Sequence, residues 1–292
     1  MIKGWIEQSG IRPEAIVPLH KSSFAETFRV RDLSGSEFFV KCSSTDSALI
    51  SAEKRGLDAL RMAIPDNVPE ELGFYDSVVG AMLILPFGQD SSWSAQQQEL
   101  FGKRLAQLHR TSHERFGFAT DNFIGASPQK NEWKSNWGDF FVECRLKPQL
   151  QLGIRNGWVT TQFQEQLEEL YPALSEYLNS IGETPSLCHG DLWSGNAIAL
   201  REGGVWMIDP ATYFGSRETD IAFMNYFGGF GRGVFEAYER EFPLSHDAHR
   251  RFPLLNLYHV MNHANLFGGG YIGSATRMVE MEIPALLTTL YR

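Results

Sequence analysis

Residues 187–200 read "LCHGDLWSGNAIAL". His189, Gly190, Asp191, Trp193, Ser194 and Asn196 are crowded there between two apolar strings. Such a stretch is either a tight surface turn or a loop built to hold chemistry. The residues that follow bear on the choice. "AIAL" and "VWMI" read as short strands joined by "REGG", a hairpin signal. Asp191 then precedes the hairpin, Asn196 stands at its mouth, and Asp209 follows its second strand. Strand ends hold side chains rigidly while leaving them facing a cleft, and one β-turn would bring Asn196 and Asp209 together.

Carboxylate and amide oxygens are the donors that a hard cation such as Mg²⁺ takes, alongside phosphate oxygens and water. Asp191 is then left to orient a hydroxyl and accept its proton. The spacing "HGDLWSGN" matches the kinase catalytic-loop pattern H-x-D-x-x-x-x-N, with His189 as the supporting histidine. An apolar strand then ends in Asp209, where protein kinases carry D-F-G and this chain carries "DPA".

Upstream, "FAETFRV" and "EFFVKC" are β-prone runs split by "RDLSGS", a hairpin loop with Gly35. The stretch "STDSALISAEKRGLDALRM" has Leu49, Ile50, Leu57 and Leu60 at helical spacing, with Asp46 or Ser47 to cap it. "EELGFYDSVVGAMLILPFG" reads as two strands around Asp76–Gly80. Phosphoryl transfer depends on positioning and charge neutralisation, so a cation must reach the nucleotide phosphates. Lys41 at the end of its strand is placed for that, and Glu53 on the following helix is placed to pair with it. The loop "HKSSFAET", where kinases use glycines to approach phosphate, contains none. Ser22 and Ser23 are its candidate donors.

After Gly88 the texture turns helical. "QQELFGKRLAQLHR", "TQFQEQLEELYPALSEYLNS" and "RRFPLLNLYHVMNHANLF" read as helices, the second kinked or divided at Pro172. The expected architecture is α+β: a bilobal, protein-kinase-like fold with a small β-rich N-lobe (1–88) and a larger, mainly helical C-lobe (89–292).

The bulk numbers agree. A chain of 292 residues, 43% hydrophobic, can bury a substantial core as one domain or two lobes. The net charge of −9 argues against nucleic acid as a partner. Three scattered cysteines form neither a disulfide framework nor a zinc pattern. The N-terminus "MIKGWIEQSG" lacks an apolar leader core, and no stretch is long enough to span a membrane. A soluble cytoplasmic protein without membrane partners is expected, with no indication of oligomeric state.

At these motifs the chain resembles the fructosamine kinases (ketosamine-3-kinases), relatives of aminoglycoside phosphotransferases and choline kinases. Trp193 and Ser194 are the fructosamine-kinase variant of the loop, and "DPATYFGSRETDIAF" is similar to that family's continuation. "FGFATDNFIGASPQKNEWKSNWGDFFVECRLKPQL" and "PLSHDAHRRFPLLNLYHVMNHANLFGGGY" extend the likeness over nearly the whole chain. The resemblance implies ATP-dependent phosphorylation of the 3-hydroxyl of a small or protein-bound ketosamine, a deglycation or repair activity. It implies Asp191 as catalytic base, Asn196 and Asp209 as Mg²⁺ ligands, and Lys41 on the α/β-phosphates with Glu53 as partner. It further implies the backbone of Leu85–Phe87 as the adenine hinge and Asp220 as a brace for the catalytic loop. Two features depart from the family: the glycine-free loop, and Leu85 where the hinge often carries Glu. A kinase of the aminoglycoside or choline kinase type is the alternative, and a nucleotide-binding pseudokinase a third reading.

Trp133 and Trp137, four apart in "NEWKSNW", suit either a core stripe or a wall for a sugar ring, and Trp193 joins them as a substrate candidate. His259 and His263 are four apart on a helix, but a packed histidine pair explains them better than zinc. His109 and His113 read as ordinary helix-end residues.

Overall fold

The computed structural model describes residues 2–22, 24–44, 46–78 and 80–290; Ser23 lies outside them. A short helix α1 (Ile2–Gln8), which local periodicity did not announce, precedes strands β1 (Pro13–Lys21), β2 (Glu26–Asp32) and β3 (Glu37–Ser43). Helix α2 (Ser47–Ala63) follows, then β4 (Gly73–Ser77) and β5 (Gly80–Pro86). The five strands form one antiparallel sheet in the order β1-β2-β3-β5-β4. Asp46 caps α2 by accepting the Leu49 N–H, and Ile50, Leu57 and Leu60 bury its inner face. Lys41 and Glu53 thereby come from adjacent elements of the sheet-rich part.

Helix α3 (Ala95–His109) opens the helical part with a capping box, Ser94 and Gln97 bonding reciprocally. A two-stranded hairpin, β6 (Asn122–Ile124) and β7 (Ser127–Gln129), comes next, then α4 (Trp137–Phe141), a π-helical turn (Val142–Leu146), α5 (Lys147–Arg155) and α6 (Thr161–Ser180). Pro172 neither divides nor ends α6. Leu167, Tyr171, Leu174 and Leu178 form one buried face on both sides of it, and that packing outweighs the one lost N–H bond. Strands β8 (Ser186–Cys188), β9 (Ala197–Ala199), β10 (Val205–Met207) and β11 (Tyr213–Gly215) follow. β9 pairs with β10 as the sequence indicates, and β8 pairs with β11. The chain ends in α7 (Glu218–Phe227), α8 (Arg232–Glu241), α9 (Ala248–Phe267), α10 (Gly270–Arg277) and α11 (Ile283–Leu290).

Most of the core is one continuous apolar cluster running from α2 and β5 through the helical part. Gly102 shows how closely α3 meets α8. A Cβ there would stand 2.3 Å from the Val234 carbonyl oxygen, so only glycine permits that approach. Gln97 on α3 donates to the Leu200 (2.7 Å) and Gly204 (3.0 Å) carbonyls, which fixes the β9–β10 turn. Asn67, after α2, donates to the Val205 carbonyl (3.0 Å) and ties that hairpin to the sheet-rich part. No helix among the described residues is long and apolar enough to cross a membrane.

Candidate active site

Asp191, Asn196 and Asp209 converge with Lys41 and Glu53 on one cleft of about 510 Å³. β8 delivers the loop that begins at His189, and β11, paired to β8, receives the chain after Asp209. The Lys41 Nζ stands 2.6 Å from both a Glu53 carboxylate oxygen and Asp209 Oδ1. Burial favours the neutral amine, but the two carboxylates outweigh it and hold the Lys41 pKa above its ordinary value. Burial raises the Glu53 carboxyl, with Asp209 adding to it. Asp209 is held below its ordinary value because the Lys41 charge overcomes burial. Asp209 is also the only non-glycine residue with positive φ (51°) among the described residues. Backbone in that region carries a cost of about 1–3 kcal/mol and persists only where the surroundings impose it.

The Asp191 carboxyl is pushed up to about 7 by burial and by the facing Asp209, against the pull of Asn196. Asn196 donates its amide N–H₂ to the Asp191 carbonyl (2.8 Å) and carboxylate (3.2 Å). Its side-chain oxygen is therefore the atom left for the cleft. The facing Asp191 and Asp209 carboxylates repel each other, which helps to raise Asp191 and marks a local shortage of positive charge. A divalent cation held by the Asn196 oxygen and the Asp209 carboxylate would relieve that shortage, so the donor set fits Mg²⁺.

Asp220, at the start of α7, organises the loop from behind. Its carboxylate accepts the His189 N–H (2.7 Å) and the Gly190 N–H (2.9 Å). It also bonds His109 Nε2 (3.1 Å), whose Nδ1 meets the Tyr238 hydroxyl at 2.8 Å. His109 is thus fully buried support for the catalytic loop rather than an ordinary helix-end residue. His189 Nε2 bonds the Ile208 carbonyl (2.9 Å), which links the loop to the residue before Asp209. Gly190 has φ 84°, and a Cβ there would stand 2.2 Å from the Ala211 carbonyl oxygen.

A second, largely apolar slot of about 630 Å³ shares Glu53 and Asp209 with the cleft. Leu19 and Phe39 line it from the sheet, and Leu85, Phe87 and Gly88 from the connecting strand. Ile198, Trp206 and Ile208 line it from the β9–β10 hairpin. A flat aromatic base fits such a slot. The Leu85–Phe87 segment, where the adenine hinge is expected, lines the slot. The Phe87 N–H donates to the Glu37 carbonyl (3.2 Å), and Leu85 pairs with Phe39.

The glycine-free loop closes by a side chain instead. The Ser22 hydroxyl accepts the N–H groups of Phe24 (3.2 Å) and Ala25 (3.0 Å) and donates to the Ala25 carbonyl (3.1 Å). Ser22 is consumed by the turn, which corrects its expected role as a phosphate donor.

The tryptophans divide three ways. Trp137 is 2% exposed and packs among Phe116, Phe140 and Phe141, so it offers no face to a sugar. Trp133 stacks on His113 (4.3 Å between rings) and lines neither cavity. Trp193 is half-exposed on the catalytic loop and folds over Gly195. His259 and His263 are stacked on Phe223 and Phe227 and gather no metal-ligand set among the described residues.

The β6–β7 hairpin, which no motif in the sequence marks, also reaches the site. Its tip places Phe123 and Gly125 on the cleft. Its base is clamped to the chain just after Asp209: Gln129 donates to the Ala211 carbonyl (2.9 Å) and Asn122 to the Thr212 carbonyl (2.8 Å). Arg145, fully buried over the Tyr213 ring (4.0 Å), donates to Asn131 (2.9 Å), which in turn donates to Asn122 (2.8 Å).

A base-sized apolar slot opens onto a buried lysine and a set of carboxylates on a two-strand-framed loop. Fold and site together define an ATP-dependent phosphotransferase of the kinase-like class, acting on a hydroxyl. The chain belongs to the fructosamine kinase family, whose sequence pattern matches residues 5–284. A probable ketoamine kinase of Synechocystis is 37% identical over 251 residues, covering 84% of this chain and 82% of its own length. The chloroplastic protein-ribulosamine 3-kinase of Arabidopsis thaliana is 33% identical over 246 residues, 83% of this chain and 75% of its own. A solved structure of the fructosamine-3-kinase type from Thermobifida fusca superposes with a TM-score of 0.85 at 30% identity, covering 96% of both chains. An ADP-bound aminoglycoside phosphotransferase superposes at 0.64 with 17% identity and shares the fold alone.

Proposed function

We propose that this protein transfers the γ-phosphoryl group of ATP to the 3-hydroxyl of a ketosamine, free or protein-bound. The single observation that carries the reading is the convergence of Asp191, Asn196, Asp209, Lys41 and Glu53 on one cleft, in a chain of the fructosamine kinase family. The names of the ketoamine and ribulosamine kinase relatives support a ketosamine acceptor.

In this reading residues 1–88 form the nucleotide-binding lobe and 89–292 the catalytic and acceptor-binding lobe. The adenine ring enters the apolar slot between Phe39 and Trp206. Lys41, oriented by Glu53, turns from Asp209 to the α/β-phosphates when nucleotide arrives. Asn196 and Asp209 hold Mg²⁺, which neutralises developing phosphate charge when bound. Asp191 takes the proton of the acceptor hydroxyl as its oxygen bonds to the γ-phosphorus and ADP leaves. A carboxyl pushed toward 7 is a stronger base than an ordinary aspartate, which suits that task. Asp220 and His109 keep the loop in register. The three buried, unpaired cysteines suit a reducing compartment such as the cytoplasm.

The test is Mg²⁺-dependent ADP release, measured across ketosamines of differing sugar length, an aminoglycoside and an amino alcohol. Turnover confined to ketosamines is expected, and Asp191→Ala lowers kcat at least about a hundredfold. Turnover of the amino alcohol alone, or near-normal kcat in Asp191→Ala, overturns the reading.

A further inference from the structure

Helices α7 and α9 pack against each other and end side by side, each followed by a glycine pair with positive φ: Gly228 and Gly229 (71° and 87°), Gly268 and Gly269 (62° and 57°). Both ends meet the catalytic cleft. A Cβ on Gly229 would stand 2.2 Å from the Ser194 hydroxyl oxygen, so the loop after α7 lies on the catalytic loop. A Cβ on Gly125 would touch Leu266 near the end of α9 (3.2 Å), and Gly125 itself lines the cleft with Asp191.

An aromatic ladder joins the two helix ends. Tyr226 lies 5.1 Å from Phe227, Phe227 stacks on His263 at 4.5 Å, and His263 is 4.9 Å from Tyr271 and 5.5 Å from Phe267. Core packing does not account for its outer members. Phe267 is 68% exposed and Tyr226 45% exposed. Helix C-termini carry the negative end of the backbone dipole, and ring faces are negative as well. Residues 221–231 and 252–276 contain no Lys, Arg, Asp or Glu, so nothing on these segments offsets that character.

An acceptor that brings a sugar hydroxyl to Asp191 must send the rest of itself out past this rim. The amine of a ketosamine is a secondary amine, protonated at neutral pH. We propose that Tyr226, Phe227, His263, Phe267 and Tyr271 form the subsite for the protonated amine of the acceptor and its aliphatic stem. The ring faces and the two helix carbonyl ends bind the cation, and Gly228 and Gly268–Gly270, whose Cβ positions are open, leave room for the stem. The rim thereby selects ketosamines over neutral ketoses. This assignment rests on the ketosamine kinase reading above.

The test compares two acceptors on the wild-type protein and on Tyr226→Ala/Phe267→Ala: a ketosamine, and the same ketose with an ether oxygen in place of the amine. The exposed rings are removed without emptying the core, and thermal melting verifies the fold. The double variant is expected to raise KM for the ketosamine about tenfold. Its kcat, its KM for ATP and its KM for the ether analogue stay within about twofold, and Tyr226→Phe/Phe267→Tyr, which keeps both rings, restores the ketosamine KM. An unchanged ketosamine KM in the alanine variant overturns the subsite, as does an equal rise for the ether analogue. If the wild-type protein turns over no ketosamine at all, the functional reading fails and takes this assignment with it.

Discussion

Replacing Asp220 by Asn tests whether the catalytic loop is held in place from α7. The native carboxylate accepts two backbone N–H groups, at 2.7 and 2.9 Å, and meets His109 Nε2 at 3.1 Å, all buried. An amide keeps one acceptor oxygen and turns the other position into a donor. The His189 or Gly190 N–H then faces an N–H₂ group, and a buried donor left unpaired costs about 1–3 kcal/mol. The surviving bond also loses its charge assistance, roughly another 1 kcal/mol. The variant is therefore expected to lose about 2–4 kcal/mol, read by urea unfolding, and to melt several degrees lower. The loop it releases carries Asp191, and a displacement of about 1 Å at a reacting group costs on the order of a hundredfold in rate. Steady-state kinetics should show kcat down thirty- to a hundredfold, with KM for ATP within about threefold because the apolar slot is untouched. A variant that loses the predicted stability but keeps kcat within about twofold would refute the reasoning, since Asp220 would then stabilise the fold without positioning the loop.

Two other perturbations follow from the same structure. The buried His259 has its pKa pushed down to about 3 by burial, below the ordinary 6.5, so the unfolded chain binds the extra proton. Stability therefore falls as pH drops below 6.5, by about 1.4 kcal/mol per unit for this group. His259→Phe should flatten the stability profile between about pH 6 and 4 by that slope in urea titrations, and an unchanged slope would exclude the residue. Trp137→Ala should cost about 3–5 kcal/mol while leaving acceptor KM within twofold, and a large KM rise with little loss of stability would place Trp137 at the substrate.

The residues of the cleft were legible because each lies in or next to an element whose period is visible locally. Lys41 closes an alternating strand, Glu53 falls on the inward face of a capped helix, and Asp191, Asn196 and Asp209 bracket a hairpin with an obvious turn. Ile198 and Trp206 carried a signal of their own. Both are apolar on the strand face opposite the core, which indicates a covering ligand. What was hidden depends on partners far along the chain. The β6–β7 strands are three residues each, and their polar Asn122 and Gln129 are satisfied by carbonyls beyond Asp209. His109 and Trp137 are set by burial, which no short window reveals. Pro172 broke a local rule that tertiary packing overrode. Ser22 supplied the turn that the loop's missing glycines suggested was difficult.

The central claim is the destination of the phosphoryl group, and ³¹P NMR of the product formed from ATP, Mg²⁺ and a ketosamine reads it directly. The account predicts a phosphate ester on the sugar 3-hydroxyl, stoichiometric with ADP, and absent with Asp191→Ala. Inorganic phosphate formed while the ketosamine is left unchanged, or an ester on another hydroxyl, would contradict it.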